Sequence, residues 1–441
     1  MAPKHPVLID AIETYKRIFG GDPSVKVFAP GRVNLIGEHT DYNDGYVLPF
    51  ALPFKTIVVG SLSSGESKIA SVNMQSEVVS FKVDRDLVKG QPEWANYVKG
   101  TIYQYIDDLP KDFAFNAVVA SNVPIGSGLS SSASLEVAIA TFLEKLCNIT
   151  HVSGVTKALR CQQAEHVFGG TPCGIMDQYI SAMGKKDNLL LIDCRSKDYR
   201  LVPYSRDSRL RPPVLLVTNS AVHHSLADGE YAVRVQQCQE AVRVLSEKFP
   251  HITALRDASI ENLEAVRECM DELVFARALH CITEDARTLA TVAALEKGDF
   301  KKVGEYMTCS HESLREYYEV SCKELDFLVD TALEVPGVLG SRMTGGGFGG
   351  CTITLVERDS VRTLEMHLKA KYNEEFGLNC VCYECLPSTG AGDCDSMYSS
   401  RYSSDKKEEE SDGASLPWIV ASCTVGVIAA AALYIMTFRR Q

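Results

Sequence analysis

The sequence predicts a fold that mixes α-helices with β-strands and is large enough for two domains. An apolar run at residues 113–120 leads into a glycine- and serine-rich stretch at residues 122–133, after which apolar side chains recur at helical spacing. Residues 56–60 and 78–83 indicate strands of an antiparallel region, and residues 229–333 are rich in amphipathic helical patterns. With 441 residues, 45% of them hydrophobic, the chain can bury two cores.

Charge and N-terminal sequence exclude several classes of protein. The formal net charge of −12 argues against a protein that must neutralise nucleic-acid phosphates, so we predict no nucleic-acid partner. The first 20 residues lack the apolar run of a secretory signal and favour an amphipathic helix. The 15 cysteines are therefore expected to be reduced thiols in a cytosolic environment.

The stretch NVPIGSGLSSSA at residues 122–133 has the composition of an anion site. Gly126 and Gly128 allow backbone amides to approach phosphate oxygens without an intervening Cβ. Three serines follow at the predicted helix start: Ser130, Ser131 and Ser132. Amides at a helix start are unpaired and the helix dipole is positive there, and serine hydroxyls can bind phosphate or Mg²⁺. An ordinary helix cap needs only one serine, so we predict a phosphate-binding loop.

The loop matches neither of the two common nucleotide motifs. No Gly-Lys-Ser/Thr follows at Walker A spacing, and the glycines do not form GxGxxG. Residues 124–133 instead resemble the nucleotide loop of the GHMP kinases, which act on galactose, homoserine, mevalonate and phosphomevalonate. That resemblance implies ATP as co-substrate, with its phosphates on residues 126–132, and Mg²⁺ as the accompanying ion.

Polar side chains crowd between apolar segments in residues 29–52. They are Arg32, Glu38, His39, Asp41 and Tyr42. Unpaired burial of a charge costs roughly several kcal/mol, so these groups must either be paired with one another or take part in binding a ligand or in catalysis. An Arg32–Glu38 ion pair would leave His39 and Asp41 unexplained, whereas a sugar needs such groups around its hydroxyls. The string GRVNLIGEHTDYN closely resembles the signature of the galactokinases, the sugar-kinase branch of the family.

Two carboxylates follow the predicted loop. Asp177 lies among apolar residues in the string GIMDQ, a setting that favours a catalytic base, and this string resembles the family's catalytic aspartate segment. The resemblance implies that Glu165 and Ser132 hold Mg²⁺, although a glutamate on a helix is by default solvated. It also implies that Gly174 lies against the sugar and that Tyr231 contacts it. A core tyrosine at a helix start would give the same pattern as Tyr231.

A second glycine cluster places five glycines in the six positions 345–350. Such a cluster is costly to order without a purpose, and a hairpin turn needs only one or two glycines. Residues 341–356 resemble the third GHMP motif, which closes over the active site.

The aromatic pair Trp94 and Tyr97 lies in a predicted helix that begins at residues 93–100. An aromatic that anchors a helix to the core and one that contacts adenine give the same pattern. Trp94 is therefore left out of the predicted site.

The resemblance covers about residues 8–386 and implies a two-domain α+β GHMP kinase architecture with the active site in the interdomain cleft. The predicted N-terminal domain, residues 1–200, carries the sugar signature and the ATP loop, and residues 201–386 form the C-terminal domain. Residues 387–415 are rich in serine, glycine and charge, which predicts a disordered linker.

Residues 416–438 carry no charge and predict a transmembrane helix, because at ~1.5 Å per residue they span roughly 34 Å. Trp418 near one end, and Arg439 and Arg440 beyond the other, fit the two membrane interfaces. We expect a tail anchor in an intracellular membrane, either the mitochondrial outer membrane or the endoplasmic reticulum, with the catalytic domains in the cytoplasm. Soluble kinases of the family lack this segment.

The activity that the resemblance implies is ATP-dependent phosphorylation of galactose at the anomeric hydroxyl, the first step of galactose catabolism. Arg32 would neutralise charge on the transferring group and interact with Asp177, and Asp177 would accept the proton late in transfer. The implied sugar-binding residues are Arg32, Glu38, His39, Asp41, Gly174, Asp177 and Tyr231. Two alternatives stay open: an N-acetylgalactosamine kinase, and a non-catalytic galactose and ATP sensor. Such sensors lose a Ser-Ala pair in the loop, and Ser132-Ala133 is intact.

Overall fold

The computed structural model describes residues 5–205, 211–223 and 227–395. The helices are α1 Pro6–Phe19, α2 Trp94–Gln104, α3 Ser131–Leu146, α4 Gly154–Ala164, α5 Met176–Met183, α6 Ala227–Lys248, α7 Ile260–Glu264, α8 Glu272–Lys297, α9 Phe300–Ser313, α10 Lys323–Leu333 and α11 Val361–Phe376. The strands are β1 Val25–Asn34, β2 Tyr46–Val47, β3 Pro49–Leu62, β4 Ser67–Ser71, β5 Val78–Phe81, β6 Phe115–Ser121, β7 Asn188–Asp193, β8 Tyr199–Pro203, β9 Val214–His223, β10 Val338–Thr344, β11 Gly349–Val356, β12 Val381–Cys385 and β13 Gly392–Asp393.

The N-terminal sheet has the strand order β13-β1-β3-β6-β4-β5 and is covered on both faces. Because side chains alternate along a strand, neighbouring residues of β1 pack into the hydrophobic clusters on opposite faces of the sheet. Phe28 packs with Tyr15 of α1, the predicted N-terminal helix. Val27 packs with Val98 of α2 and Phe142 of α3 on the other face. Burial on both sides explains why residues 57–59 and 117–120 are apolar without the alternation of a half-exposed strand.

The C-terminal sheet has the order β10-β11-β9-β12 and is likewise covered on both faces. Leu216 of β9 packs with Leu328 of α10 and Leu364 of α11. Its neighbour Leu215 faces the opposite side, toward Met307 of α9. The chain passes from the N-terminal sheets to this sheet between β8 and β9, in the region of the predicted domain boundary.

The two halves share a hydrophobic core. Leu35 and Phe50 from the N-terminal half belong to the same buried cluster as Leu215 and Ile353 from the C-terminal half. The third sheet, with the order β2-β7-β8, contributes Leu189 to this cluster. The domains are therefore held together by packed apolar side chains rather than by a chain connection alone.

The predicted disordered linker does not begin at residue 387, because residues 387–395 pack on the N-terminal domain. Ser388 donates its backbone N–H to the carbonyl of Ala51 at 2.8 Å, and Cys394 donates to that of Lys26 at 3.0 Å. β13 pairs with the edge of β1. The composition of this segment predicts little burial, but an unpaired strand edge binds backbone rather than side chains.

The predicted transmembrane segment, residues 416–438, and the remainder of the predicted linker lie outside the described residues. Within residues 5–205, 211–223 and 227–395, none of the helices has both the length and the apolar character that a membrane crossing requires.

Candidate active site

The glycine- and serine-rich stretch forms the connection between β6 and α3, as predicted. Gly126 and Gly128 have φ angles of +71° and +74°, and a Cβ on either would meet none of the described atoms within 4 Å. Ser130 also has a positive φ, of 59°, and α3 begins at the next residue, Ser131. The amides of Ser131 and Ser132 therefore lie in the first helical turn, where they have no intrahelical acceptor. The loop is open and rich in donors, as a phosphate site requires.

The second glycine cluster lies against both earlier motifs. It forms the loop between β10 and β11, where Gly345 donates its N–H to Glu38 Oε1 at 2.9 Å. A Cβ on Gly350 would lie 3.0 Å from the carbonyl oxygen of Ser127. The thiol of Cys351 donates to the same oxygen at 3.2 Å. All three motifs thus meet at one place, as predicted.

Arg32 and Asp177 form a bidentate ion pair. Arg32 Nε donates to Asp177 Oδ1 at 2.7 Å, and Nη2 donates to Oδ2 at 2.9 Å. Arg32 Nη1 also donates to the carbonyl of Gly128 at 2.5 Å, and the hydroxyl of Ser130 donates to Asp177 Oδ2. Asp177 lies in the first turn of α5, where the helix dipole favours an anion. The predicted catalytic pair is therefore attached directly to the phosphate loop.

Asp41, Gly174 and Tyr231 lie beside this pair. Burial, and then the nearby charge of Asp177, raises the pKa of Asp41 to about 7, although Arg32 opposes the rise. A Cβ on Gly174 would lie 1.6 Å from Asp41 Oδ2, so no other residue fits there without movement. Burial, and then Asp41, raises the pKa of the Tyr231 hydroxyl well above its usual value. These three predicted sugar residues are brought together in the structure.

His39 lies beside the same region, next to aromatic side chains of the C-terminal half. Its backbone has a φ of 64°, and its Nδ1 lies 2.8 Å from the hydroxyl of Tyr42. Its ring centroid lies 4.7 Å from that of Tyr318. Burial lowers the pKa of His39 to about 3, with further contributions from His280 and Arg234. A neutral imidazole has one donor and one acceptor nitrogen, which suits a hydroxyl ligand.

Glu38 forms contacts that the sequence did not predict. Its Oε2 lies 2.8 Å from Arg342 Nη2 and accepts a hydrogen bond from Asn34 at 2.7 Å. Its Oε1 accepts the hydrogen bond from Gly345, and the residue is 1% exposed. The alternative Arg32–Glu38 ion pair is wrong, because each residue has another partner. Glu38 attaches the first motif to the third, and its contact with a sugar stays a prediction.

Glu165 is buried rather than solvated, so the default interpretation of this residue is wrong. It begins a π-helical turn, Glu165–Gly169, and is 7% exposed. Burial, and then Asp177, raises the pKa of Glu165, while a hydrogen bond from Ser132 opposes the rise. Gln178 Nε2 donates to Glu165 Oε2 at 2.6 Å. A buried carboxylate and a hydroxyl next to the phosphate loop are hard oxygen ligands, and nearby negative charge favours a cation. These residues fit Mg²⁺.

Three models of known protein families match the segments of the chain that form this site. The galactokinase galactose-binding signature matches residues 13–62, the GHMP kinases N terminal domain matches residues 96–185, and the GHMP kinases C terminal model matches residues 291–374. Human galactokinase is 49% identical over 375 residues, which cover 83% of this chain and 92% of the human protein. The chain belongs to the galactokinase family of GHMP kinases. A bacterial member of the galactokinase family, from Roseiflexus, is 42% identical over 86% of this chain and 95% of its own.

The fold is that of the galactokinase family as well. The crystal structure of Lactococcus lactis galactokinase complexed with galactose is 34% identical and superposes with a TM-score of 0.81. The match covers 87% of this chain and 98% of the bacterial chain. The predicted two-domain α+β GHMP kinase architecture is confirmed for the described residues.

Trp94 belongs near the site of this galactokinase-family chain, although the sequence prediction omitted it. Trp94 and Tyr97 line a cavity of about 200 Å³ whose wall includes Ser131 and Ser132. Met74, at the end of the 3-10 turn Val72–Met74, also lines this cavity. The spacing of Trp94 and Tyr97 on one helix face is a local signal. The loop that faces them is distant in sequence, and its position follows only from the fold.

Proposed function

We infer that this chain phosphorylates galactose at its anomeric hydroxyl with ATP, giving galactose 1-phosphate. The observation that carries the inference is the Arg32–Asp177 pair, which lies between the phosphate loop and the group of Asp41 and Gly174. A reacting hydroxyl held by the second group would lie beside both a proton acceptor and the phosphates. The 49% identity to human galactokinase supports galactose as the sugar.

The loop and the cavity beside it provide the nucleotide site. Unpaired amides at the start of α3, with the glycines before them, would bind the phosphates. The cavity that Trp94 lines is adjacent to Ser131 and Ser132 and would take the adenine ring. Ser132 and Glu165 would hold Mg²⁺, which when bound supplies positive charge against the phosphates.

The residues of the chain act mainly by positioning and charge compensation, because phosphoryl transfer has a loose transition state. Arg32 is fixed by Asp177 and the carbonyl of Gly128, so its charge is already in place beside the loop. A sugar hydroxyl is a far weaker acid than a carboxylic acid, so Asp177 accepts the proton as the new bond to phosphorus forms. Asp41, His39 and Tyr231 would orient the sugar.

A coupled ADP-release assay on the full-length chain, purified in mild detergent, tests this function. We expect the highest kcat/KM with galactose in a panel that also contains N-acetylgalactosamine, glucose and mevalonate. A higher value for N-acetylgalactosamine would change the substrate assignment. Binding of galactose and ATP with no product from any sugar would identify a sensor instead.

We also propose that residues 416–438 attach the chain to an intracellular membrane and leave the kinase in the cytoplasm. The absence of charge over this run, Trp418 near its first residue and Arg439 just after it support the proposal. Alkaline carbonate extraction of cells that express the full chain or residues 1–415 tests it. Release of the full chain with the soluble fraction would contradict it. Fractionation would assign the mitochondrial outer membrane or the endoplasmic reticulum.

A further inference from the structure

A second cavity, here called the basic cleft, contains none of the predicted catalytic or sugar residues. It lies between Lys55 in the middle of β3, the loop at Lys185 and Lys186, and the segment 387–392 that covers the edge of the N-terminal sheet. Arg358 borders it from the C-terminal half. Its volume of about 800 Å³ is in the range of small-molecule sites, roughly 300–1,000 Å³.

The charge of the basic cleft is opposite to that of the whole protein. Its described lining includes four cationic side chains but only two carboxylates, Asp187 and Glu384. The cationic residues are Lys55, Lys185, Lys186 and Arg358. Because the chain carries a net charge of −12, this local excess of positive charge favours an anionic ligand.

Lys55 is the decisive member of this group. It is only 8% exposed, and its ammonium lies 3.9 Å from the ring centroid of Phe28. Among the residues that the structure describes, no carboxylate forms an ion pair with Lys55. Burial lowers the pKa of Lys55 to about 8, and Lys55 in turn helps to lower the pKa of His5. A buried cation without a carboxylate is costly, and an anionic ligand would remove that cost.

The lining also contains an apolar part. Phe28, Pro53 and Leu386 border the same cavity as the lysines. Inorganic phosphate would use only the cations, whereas a ligand with a carbon skeleton would cover this apolar surface as well.

We propose that the basic cleft binds a phosphate monoester of metabolite size, with the phosphate on Lys55 and the flanking lysines and the organic part on the apolar wall. The site is separate from the proposed kinase site. Its existence does not depend on the activity assigned above.

Calorimetry on the full-length chain in mild detergent tests the proposal. The active site is first filled with galactose and a non-hydrolysable ATP analogue, a step that reports on the proposed kinase function separately. Galactose 1-phosphate, glucose 6-phosphate and inorganic phosphate are then titrated. We expect at least one of the two hexose phosphates to bind at one equivalent and more tightly than inorganic phosphate. Failure of both to bind, or equal binding of inorganic phosphate, would overturn the proposal.

Two matched lysine variants locate the binding. Lys55→Met keeps the apolar stem over Phe28 and removes the charge, so hexose phosphate affinity should fall about 10- to 100-fold. Lys68→Met, on an exposed strand position of the same sheet, should leave it unchanged. Equal effects of the two variants would place the ligand elsewhere. If Lys55→Met does not fold, the exposed Lys186→Ser replaces it, and unchanged affinity in that variant would count against the site.

Discussion

The α-carbon of Gly174 lies directly against the carboxylate of Asp41, so that a Cβ on residue 174 would come 1.6 Å from Asp41 Oδ2 and 2.1 Å from its Cγ. Such distances are far inside van der Waals contact. The absence of a side chain at residue 174 thus leaves the space that is occupied by a carboxylate 133 positions earlier in the sequence.

Gly174→Ala should therefore weaken galactose binding. Inserting a methyl group into a packed region costs about 1–3 kcal/mol, and displacement of Asp41 would lower galactose affinity about 5- to 150-fold. Calorimetry with galactose measures the loss, and ATP affinity should change little. Gly229→Ala is the control, because a Cβ there would meet no atom within 4 Å in the part of the chain that the structure describes. Native galactose affinity in Gly174→Ala would show that Asp41 is not held by this contact.

Asp177→Asn should abolish turnover while galactose still binds. The amide retains the shape of the carboxylate but cannot accept the proton, and it places an NH₂ group toward the Arg32 guanidinium. Loss of a positioned proton acceptor typically costs ~10²–10⁴ in rate. Single-turnover assays and calorimetry separate the two effects. Asp330→Asn, at an exposed ion pair, is the control, and a near-native kcat in Asp177→Asn would assign the catalytic role to another group.

Asp41→Asn should stabilise the ligand-free protein increasingly as the pH rises from 5 to 8. The folded protein holds a proton on Asp41 up to a pKa of about 7, whereas the unfolded chain releases it near 3.8. The stability that this proton contributes is complete below pH 3.8 and is lost as the pH rises through about 7. Asparagine cannot ionise and avoids this loss, which amounts to at most a few kcal/mol.

Melting temperatures of wild type and Asp41→Asn at several pH values test this expectation. Asp10→Asn, at an exposed position of α1, should differ from wild type by the same small amount at every pH. A difference between Asp41→Asn and wild type that stays constant from pH 5 to 8 would contradict the raised pKa of Asp41.

Glu165→Gln should weaken the response of nucleotide binding to Mg²⁺. The amide keeps the volume but loses the charge, and changes around a bound metal commonly cost about 10- to 100-fold in metal affinity. Fluorescence titration of an ATP analogue at increasing Mg²⁺ gives the concentration for half-maximal binding. That concentration should rise by at least about tenfold. The exposed Glu66→Gln should leave it unchanged, and an unchanged value in Glu165→Gln would remove that residue from the metal site.

Local sequence predicted the strand, turn and helix around residues 122–133 well because these elements are contiguous. The helix start at Ser131 and the glycines with positive φ require no information from the rest of the chain. The choice of ion-pair partners, in contrast, requires information from the rest of the chain. Arg32 pairs with a residue 145 positions away, and Glu38 lies against Arg342, so composition within residues 29–52 could not predict either pair. The contact of Arg32 with Asp177 is expected only from the resemblance to the family, and the Glu38–Arg342 contact is not expected.

Two further differences between the sequence prediction and the structure also arise from contacts between segments that are distant in sequence. Trp94 packs against the N-terminal core and also lines the cavity beside residues 131–132, a position that only the folded sheet creates and that local sequence could not predict. Residues 387–395 have few side chains to bury, which predicts disorder, but they attach through backbone hydrogen bonds to β1. Hydropathy does not report an available strand edge.

The pairing of β13 with β1 also determines the order in which the N-terminal sheet can be completed. Asp393 is the register partner of Val27, so the outer edge of the sheet is supplied by nearly the last described residues of the chain. At translation rates of about 5–20 residues per second, β1 leaves the ribosome well before its neighbour is synthesised. A nascent chain thus carries an uncovered strand edge throughout synthesis of the C-terminal half, and that edge is where we expect chaperones to bind it.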